Sequence, residues 1–413
     1  MYILQYNNKD FNSPVIVNLT ASKSVSNRVL ILQKLLPQPL LLHNLSLADD
    51  TKLMLNALTI ERKEINLNNA GTCMRFLTAY FSNNIGKTIT LQCDERMKQR
   101  PINDLVNALK ILGAQIIYLE KEGFPPLQIT GQKLVGKTIE INASESSQFI
   151  TALMLIGPFI QNGLTIELKG SVASFDYIKM TYLLMQRIGL NVFIENNFIK
   201  ILPFQNQNTL AEYYIENDWS GASFWYLIAT LNDSLSFKLN NLTLDSIQGD
   251  KITAEIFEAL GVHTESKEDG IIIKKTKSPQ NNLEFNLLNC IDLAPALCVA
   301  CAALNINATI TGLQNLNIKE SNRLLAIITE LNKFGYNAIN NENTIFIKLV
   351  ETIDYNKIVE INTYKDHRIA MAFTPLAILF SNIFIDEIDV VSKSYPDFFN
   401  EINKVGITYS TIL

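Results

Sequence analysis

One α/β unit recurs six times along this chain, and that repetition constrains the fold more than any other feature. An amphipathic helical pattern that stops at a glycine and runs into an alternating strand ends at Gly113, Gly189, Gly261, Gly335 and Gly406. These glycines lie about 71 to 76 residues apart, and Gly just past a helix is the expected stop signal. Residues 52–58, running on to 64–67, read as a weaker first copy without the glycine. Between these helices lies a second, more apolar class, each opening on a polar cluster: residues 22–28, 71–75, 146–148, 220–223, Asp292 and 366–368. Each is followed by a short alternating strand, at 39–42, 88–93, 164–168, 235–239, 308–310 and 383–385.

Helices of the second class, such as 149–160 and 293–304, are apolar nearly all round and belong inside, while the glycine-terminated class is amphipathic and belongs partly outside. Six units in 413 residues exceed one core of ordinary size, so three units per domain is the economical arrangement. The expected division is residues 1–19 plus 217–413 in one discontinuous domain and 20–216 in the other. Hydrophobic residues at 47% and charged residues at 18% exclude disorder as the main theme.

The net charge of −5 argues against a general nucleic-acid binder, so any anion site must be local. The polar clusters supply it. Helix N-termini carry unpaired N–H groups and partial positive charge, so several together would suit a polyanion. Ser22-Lys23-Ser24-Val25-Ser26-Asn27-Arg28 offers hydroxyls, an ammonium and a guanidinium within two turns, and Gly71 lets backbone approach a ligand one turn before Arg75. Arg96, Lys98 and Arg100 precede a helix whose first residue is expected to be Pro101; similar cations stand at Lys319 to Arg323 and at Asp366-His367-Arg368. Cations at a helix N-terminus oppose its dipole, which points to an anion to be held. Asp292 opens an apolar helix either as a cap or as a general base made more reactive by apolar neighbours. Lys393-Ser394-Tyr395-Pro396-Asp397 repeats the pattern near the C-terminus.

Two other motifs are set aside. Residues 131–138 match G-x-x-x-x-G-K-T, but residues 138–142 alternate like a strand where a phosphate loop needs a helix, so a strand connection is expected rather than an ATP site. Cys298 and Cys301 form a C-x-x-C inside an apolar stretch; with Cys73, Cys93 and Cys290 they read as small core residues. His43, His263 and His367 are too scattered for a metal site, and no metal is expected. Residues 7–10 are polar where a signal peptide needs an apolar core, and no apolar run is long enough to span a membrane, so a cytoplasmic protein without membrane contact is expected.

Read in order, the clusters resemble the EPSP synthase family of enolpyruvyl transferases, from about Ser22 to Asp397. The matching motifs are residues 22–28, 69–72, 96–102, 146–149, Lys319-Glu320 and 366–368. The resemblance implies an α/β fold, a two-domain inside-out α/β barrel of three repeated units per domain with buried helices and the active site in the cleft between domains. It implies transfer of the enolpyruvyl group of phosphoenolpyruvate (PEP) to the 5-hydroxyl of shikimate 3-phosphate, with no cofactor, metal or nucleic acid, by a monomer. Shikimate 3-phosphate would be held by Lys23, Ser24, Arg28, Ser146, Ser147, Gln148, Ser174, Tyr177, Asp292, Asn315 and Lys319. PEP would be held by Lys23, Gly71, Arg100, Gln148, Arg323, Arg368 and Lys393. Asp292, Glu320 and Lys23 would carry the chemistry, Asp292 at the hydroxyl and Glu320 at PEP.

Some positions depart from the family pattern. Phe76 stands where many members have Pro, which bears on tolerance of glyphosate, the PEP-mimicking inhibitor of this family. Phe175, Asp176 and Asn322 also differ, and none removes an implied ligand. Two rivals are weighed. The UDP-N-acetylglucosamine enolpyruvyltransferase family carries a cysteine five residues before the arginine equivalent to Arg100, where this chain has Glu95 and Cys93 is out of register. A non-catalytic anion-binding module would be expected to lose part of the set Lys23, Arg100, Asp292 and Glu320, all of which are present.

Overall fold

A computed structural model describes residues 1–9, 11–59, 62–205 and 208–412; Asp10, among the polar residues named above, lies outside them. Two compact units emerge: Ser22–Ile215, and Met1–Ala21 together with Glu216–Leu413. Among the described residues the α-helices are, in chain order, α1 Lys23–Leu35, α2 Asp49–Thr59, α3 Gly71–Ser82, α4 Asn103–Ile111, α5 Ser147–Ile156, α6 Phe175–Ile188, α7 Trp219–Leu231, α8 Thr253–Ala259, α9 Ala294–Ala303, α10 Arg323–Lys333, α11 His367–Phe373 and α12 Phe398–Asn403.

The odd-numbered helices are the apolar class, and they are inside. In the unit Ser22–Ile215, α1, α3 and α5 pack on one another. In the other, α7, α9 and α11 do the same, and every residue of α7 from Trp219 to Thr230 is buried. A helix apolar on all sides can be stable only if covered all round. Here the cover consists of sheets and the even-numbered amphipathic helices. Those end as expected: at Gly189 the backbone adopts φ 101° and its N–H bonds back to Gln186 and Met185, and Gly113, Gly261, Gly335 and Gly406 share the left-handed conformation that costs glycine least.

Each complete unit runs strand, buried helix, parallel strand, amphipathic helix, hairpin. The sheet Glu64–Asn66, Thr88–Gln92, Leu127–Thr130, Gln115–Tyr118 shows the order: the first pair is parallel and the hairpin folds back antiparallel. The sheet Thr138–Asn142, Leu164–Lys169, Phe198–Ile201, Val192–Glu195 repeats it, so residues 131–138 join two strands and Thr138 begins one. In the discontinuous unit the N-terminal strands complete two sheets. Val15–Val17 pairs in parallel with Ser236–Asn240, and Tyr2–Tyr6 lies between Ile383–Ile385 and Ile407–Thr411.

One unit is truncated. Glu212–Tyr214 and Leu41–His43 form a two-stranded parallel sheet, and among the described residues no hairpin follows α2. The strand at residues 64–67, assigned from sequence to the first copy, instead pairs in parallel with Thr88–Gln92 and opens the next sheet. Its alternation is real; only pairing, which sequence spacing does not encode, distinguishes a closing hairpin from an opening strand.

Candidate active site

The implied residues of the unit Ser22–Ile215 gather at the N-terminal ends of its buried helices and of α6. Ser22 caps α1, accepting from Val25 N at 3.4 Å, and Lys23 follows with its ammonium 3.1 Å from Asp50 of α2. Arg28, one turn on, is buried. Its Nε donates to Thr181 Oγ1 at 2.8 Å, Nη1 to the Ser24 carbonyl at 2.8 Å and Nη2 to the Tyr177 carbonyl at 3.4 Å, and it stands over the Phe76 ring at 5.5 Å. Among the described residues no carboxylate reaches it, and desolvation lowers its guanidinium to about 10.

At the start of α3, Gly71 faces Arg100 so closely that a Cβ would sit 2.6 Å from Nη1. Arg100 is 7% exposed and donates to Asn69 Oδ1 at 3.4 Å. The basic run containing it resolves into separate tasks. Lys98 is bound by Glu95 and Glu120 at 2.9 and 2.8 Å, and Arg96 reaches Gln99, which leaves Arg100 beside Gly71. Pro101 does not begin the following helix. Ile102 N bonds to the Gly123 carbonyl, and α4 starts at Asn103. Ser146 caps α5 by accepting from Gln148 N at 3.3 Å, and Gln148 Nε2 reaches Thr72 Oγ1 at 3.3 Å, so α5 and α3 present Gln148 and Gly71 side by side. Ser147 is buried. Ser174 holds a left-handed backbone, φ 56°, at the start of α6, three residues before Tyr177; a non-glycine residue in that conformation is strained and commonly marks a functional position.

In the discontinuous unit the implied residues form a dense ionic cluster. Asp292 Oδ1 lies 3.0 Å from Arg323 Nη1 and 3.4 Å from Lys319 Nζ, and Oδ2 lies 3.2 Å from Arg368 Nη2. Arg368 Nη1 also donates to the Asp292 carbonyl at 3.2 Å. Arg323, only 1% exposed, donates further to Glu320 Oε2 at 2.7 Å and to both oxygens of Asp366 at 3.0 and 3.2 Å. Asp366 is itself held: it accepts from Ser321 Oγ at 2.9 Å and caps α11 through Arg368 N at 3.0 Å. Lys393 and Asn315 are half-buried, each in or beside a short helical turn.

This geometry answers both readings of Asp292. It does not occupy the N-cap of α9, because that helix starts two residues later after the turn Ile291–Leu293 and its N-cap residue is Leu293. Nor do apolar neighbours decide its basicity. Burial pushes the carboxyl up, but Arg368, Lys319 and Arg323 outweigh that, against some opposition from Glu320, and hold it well below the usual carboxylate range. Burial would lower Arg323, yet Asp366, Glu320 and Asp292 raise it above its ordinary value. Arg323 thus ties Asp292, Glu320 and Asp366 together.

Sequence reasoning missed two acids. Asp50 pairs with Lys23, but in the tandem Asp49-Asp50 at the start of α2 it looks like an ordinary first-turn acid. Asp250, in the turn Gly249–Ile252, accepts a short hydrogen bond from Ser220 Oγ; burial first, and the Asp292 charge next, push its carboxyl up to about 7. Its signal is the polar opening Asp218-Trp219-Ser220 of α7, whose Asp218 caps the helix through Gly221 N. Cys298 and Cys301 are buried in α9, where desolvation raises both thiols.

Residues 59–402 match the family model described as EPSP synthase (3-phosphoshikimate 1-carboxyvinyltransferase). This chain belongs to the EPSP synthase family. A 3-phosphoshikimate 1-carboxyvinyltransferase of Bacteroides fragilis is 44% identical over 390 residues, covering 94% of this chain and 95% of that one. One of Shewanella halifaxensis is 35% identical over 420 residues, with 94% and 96% covered. The solved structure of EPSP synthase from Acinetobacter baumannii superposes with a TM-score of 0.78 over 99% of each chain at 22% identity, which shows the shared two-domain α/β fold. Among the described residues no helix is long and apolar enough to cross a membrane.

Proposed function

We infer that this chain transfers the carboxyvinyl group of phosphoenolpyruvate to the 5-hydroxyl of shikimate 3-phosphate, giving 5-enolpyruvylshikimate 3-phosphate and phosphate on the route to chorismate and the aromatic amino acids. The observation that carries the reading is the Asp292 cluster, in which a carboxylate is held ionised by cations that an anionic substrate could claim. Both substrates are polyanions, and binding them needs such neutralisation.

In the reaction the 5-hydroxyl oxygen bonds to C2 of PEP while its proton leaves and the methylene carbon gains one. The resulting tetrahedral intermediate then loses a proton from the new methyl group and expels phosphate. Asp292 is the acceptor for the hydroxyl proton and Glu320 the donor to the methylene, with Lys23 assisting. A carboxylate pinned by three cations is a weak base. When Arg368 and Lys319 turn to substrate anions, Asp292 loses compensation and its basicity rises toward what proton transfer needs. Lys23, Ser24, Arg28, Ser146, Ser147, Gln148, Ser174, Tyr177, Asn315 and Lys319 hold shikimate 3-phosphate. Lys23, Gly71, Arg100, Gln148, Arg323, Arg368 and Lys393 hold PEP.

The test is phosphate release by the pure protein given shikimate 3-phosphate and PEP. Release that depends on both substrates is expected; a folded protein that releases none above a blank overturns the reading.

A further inference from the structure

The segment between the strand Val359–Ile361 and α11 delivers two members of the ionic cluster, Asp366 and Arg368. Its backbone is held in an unfavourable shape. Tyr364 and Lys365 both lie at φ 55°, and among the described residues no other two neighbouring non-glycine residues share the left-handed conformation. Such residues are strained and persist only where their surroundings fix them.

What surrounds them is α10. Arg323 opens the buried face of this helix, which continues through Ala326 and Ile327 to Glu330, so two charged residues stand in a stripe that is ordinarily apolar. They are two turns apart, about 10 Å along the axis, and project from the same side. Both reach the same segment. Arg323 grips one end of it through Asp366. Glu330, 0% exposed, takes the other: Oε1 accepts from the Tyr364 hydroxyl at 2.7 Å and Oε2 from Asn362 N at 3.2 Å. Lys333 supplies the counter-charge at 2.8 Å and also donates to the Glu360 carbonyl at 3.1 Å. Between the two grips Asp386 accepts from Thr363 N at 3.0 Å, and Asp366 N bonds to the Thr363 carbonyl at 2.9 Å. A carboxylate without exposure is costly unless paired and hydrogen-bonded, and beyond its own helix Glu330 spends its bonds on residues 362 and 364.

We propose that Glu330 is a positioning residue for the reaction: with Arg323 it clamps residues 362–366 to α10 at two points, holds the left-handed pair Tyr364–Lys365 in place, and so sets Arg368 where PEP is to be held. That last step rests on the function proposed above; the clamp itself does not. Glu330 acts through Asn362 and Tyr364, neither of which belongs to the catalytic or substrate set.

Glu330→Leu keeps much of the side-chain volume and removes both acceptors. Hydrogen exchange on the full chain, read by mass spectrometry, should be about tenfold faster or more in peptides covering residues 362–368, with α7 and α9 unchanged. Phosphate release should show the KM for PEP raised about tenfold, since a misplacement of about 1 Å can cost about a hundredfold, while that for shikimate 3-phosphate moves less than about threefold. A purely structural loss lowers the folded fraction and with it the apparent kcat, leaving both KM values where they were. Glu330→Gln, which retains an acceptor for Asn362 N, should recover most of the KM for PEP. If Glu330→Leu melts early, Tyr364→Phe replaces it, removing one hydroxyl from an exposed side chain, with a rise of about threefold in the KM for PEP expected. Unchanged exchange at residues 362–368, or faster exchange with an unchanged KM for PEP, would overturn the proposal. A wild type that releases no phosphate overturns the proposed function instead, and the exchange comparison then decides the clamp without it.

Discussion

Arg28 and Arg323 are both enclosed guanidinium groups near helix N-termini, yet their surroundings are opposite. Arg28 is bound by two carbonyls, a hydroxyl and an aromatic face, with no described carboxylate, and desolvation lowers it to about 10. Arg323 is bound by Asp292, Glu320 and Asp366 and is raised. A buried cation left uncompensated is costly, and an incoming phosphate or carboxylate relieves that cost. In the compensated cluster the ion pairs fix the position of the acids. The contrast is between a cation whose surroundings leave its charge uncompensated and one tied among three acids. Arg100 extends the first case, since no described carboxylate reaches it either.

The sharpest way to break the contrast is Asp292→Asn. If the cluster performs proton transfer, phosphate release should fall about a thousandfold or more while shikimate 3-phosphate, measured by calorimetry, still binds. A near-normal rate would leave Asp292 a structural counter-ion. The next effect concerns the acid for which compensation fails. Asp250 is raised to about 7 from an ordinary value of 3.8, so the folded state holds its proton more tightly than the unfolded chain does. Its stabilising contribution is therefore present at low pH and is lost as pH rises from about 4 to 7, at up to about 1.4 kcal/mol per pH unit. Asp292, lowered, acts with the opposite sign and weakens the fold only as pH falls below about 4. Urea unfolding at pH 5, 6 and 7 should show this decline in the wild type and its removal in Asp250→Asn. Parallel profiles would mean that Asp250 is ionised throughout.

Anion capture is tested next by Arg100→Ala. Loss of a charge-assisted contact of about 1.5 to 3 kcal/mol should raise the KM for PEP roughly ten- to a hundredfold, with a much smaller change in kcat. Gly71→Ala should act in the same direction, because its Cβ would displace the Arg100 guanidinium from 2.6 Å. An unchanged KM for PEP in both variants would remove Arg100 from the PEP site.

Much of this organisation is legible in the sequence because it rests on local rules. Glycines at 113, 189, 261, 335 and 406 end helices since the chain there needs a left-handed residue, and that need is written at one position. The apolar class is recognisable because a covered helix has no polar face. What stayed hidden depends on partners distant in sequence. Asp250 meets Ser220 thirty positions away, Arg323 meets Asp366 from forty-three, and no spacing distinguishes a first-turn acid such as Asp50 from the counter-ion of Lys23. The pairing of Glu64–Asn66 escaped for the same reason.

The smallest expected effect concerns Phe76, the departure from the family pattern that a reading of residues alone could not place. The structure puts its buried ring under Arg28, with 5.5 Å from the guanidinium carbon to the ring centroid. The aromatic face therefore supplies part of what carboxylates supply to Arg323, without the full charge that would compete with a substrate phosphate. Phe76→Leu keeps the apolar volume and removes the quadrupole, at a cost of about 0.5 to 2 kcal/mol for a desolvated pair. Arg28 should lose orientation, and the KM for shikimate 3-phosphate should rise about two- to thirtyfold while that for PEP stays put. A change in the PEP constant alone would mean that Phe76 acts along α3 toward Gly71 rather than across to Arg28.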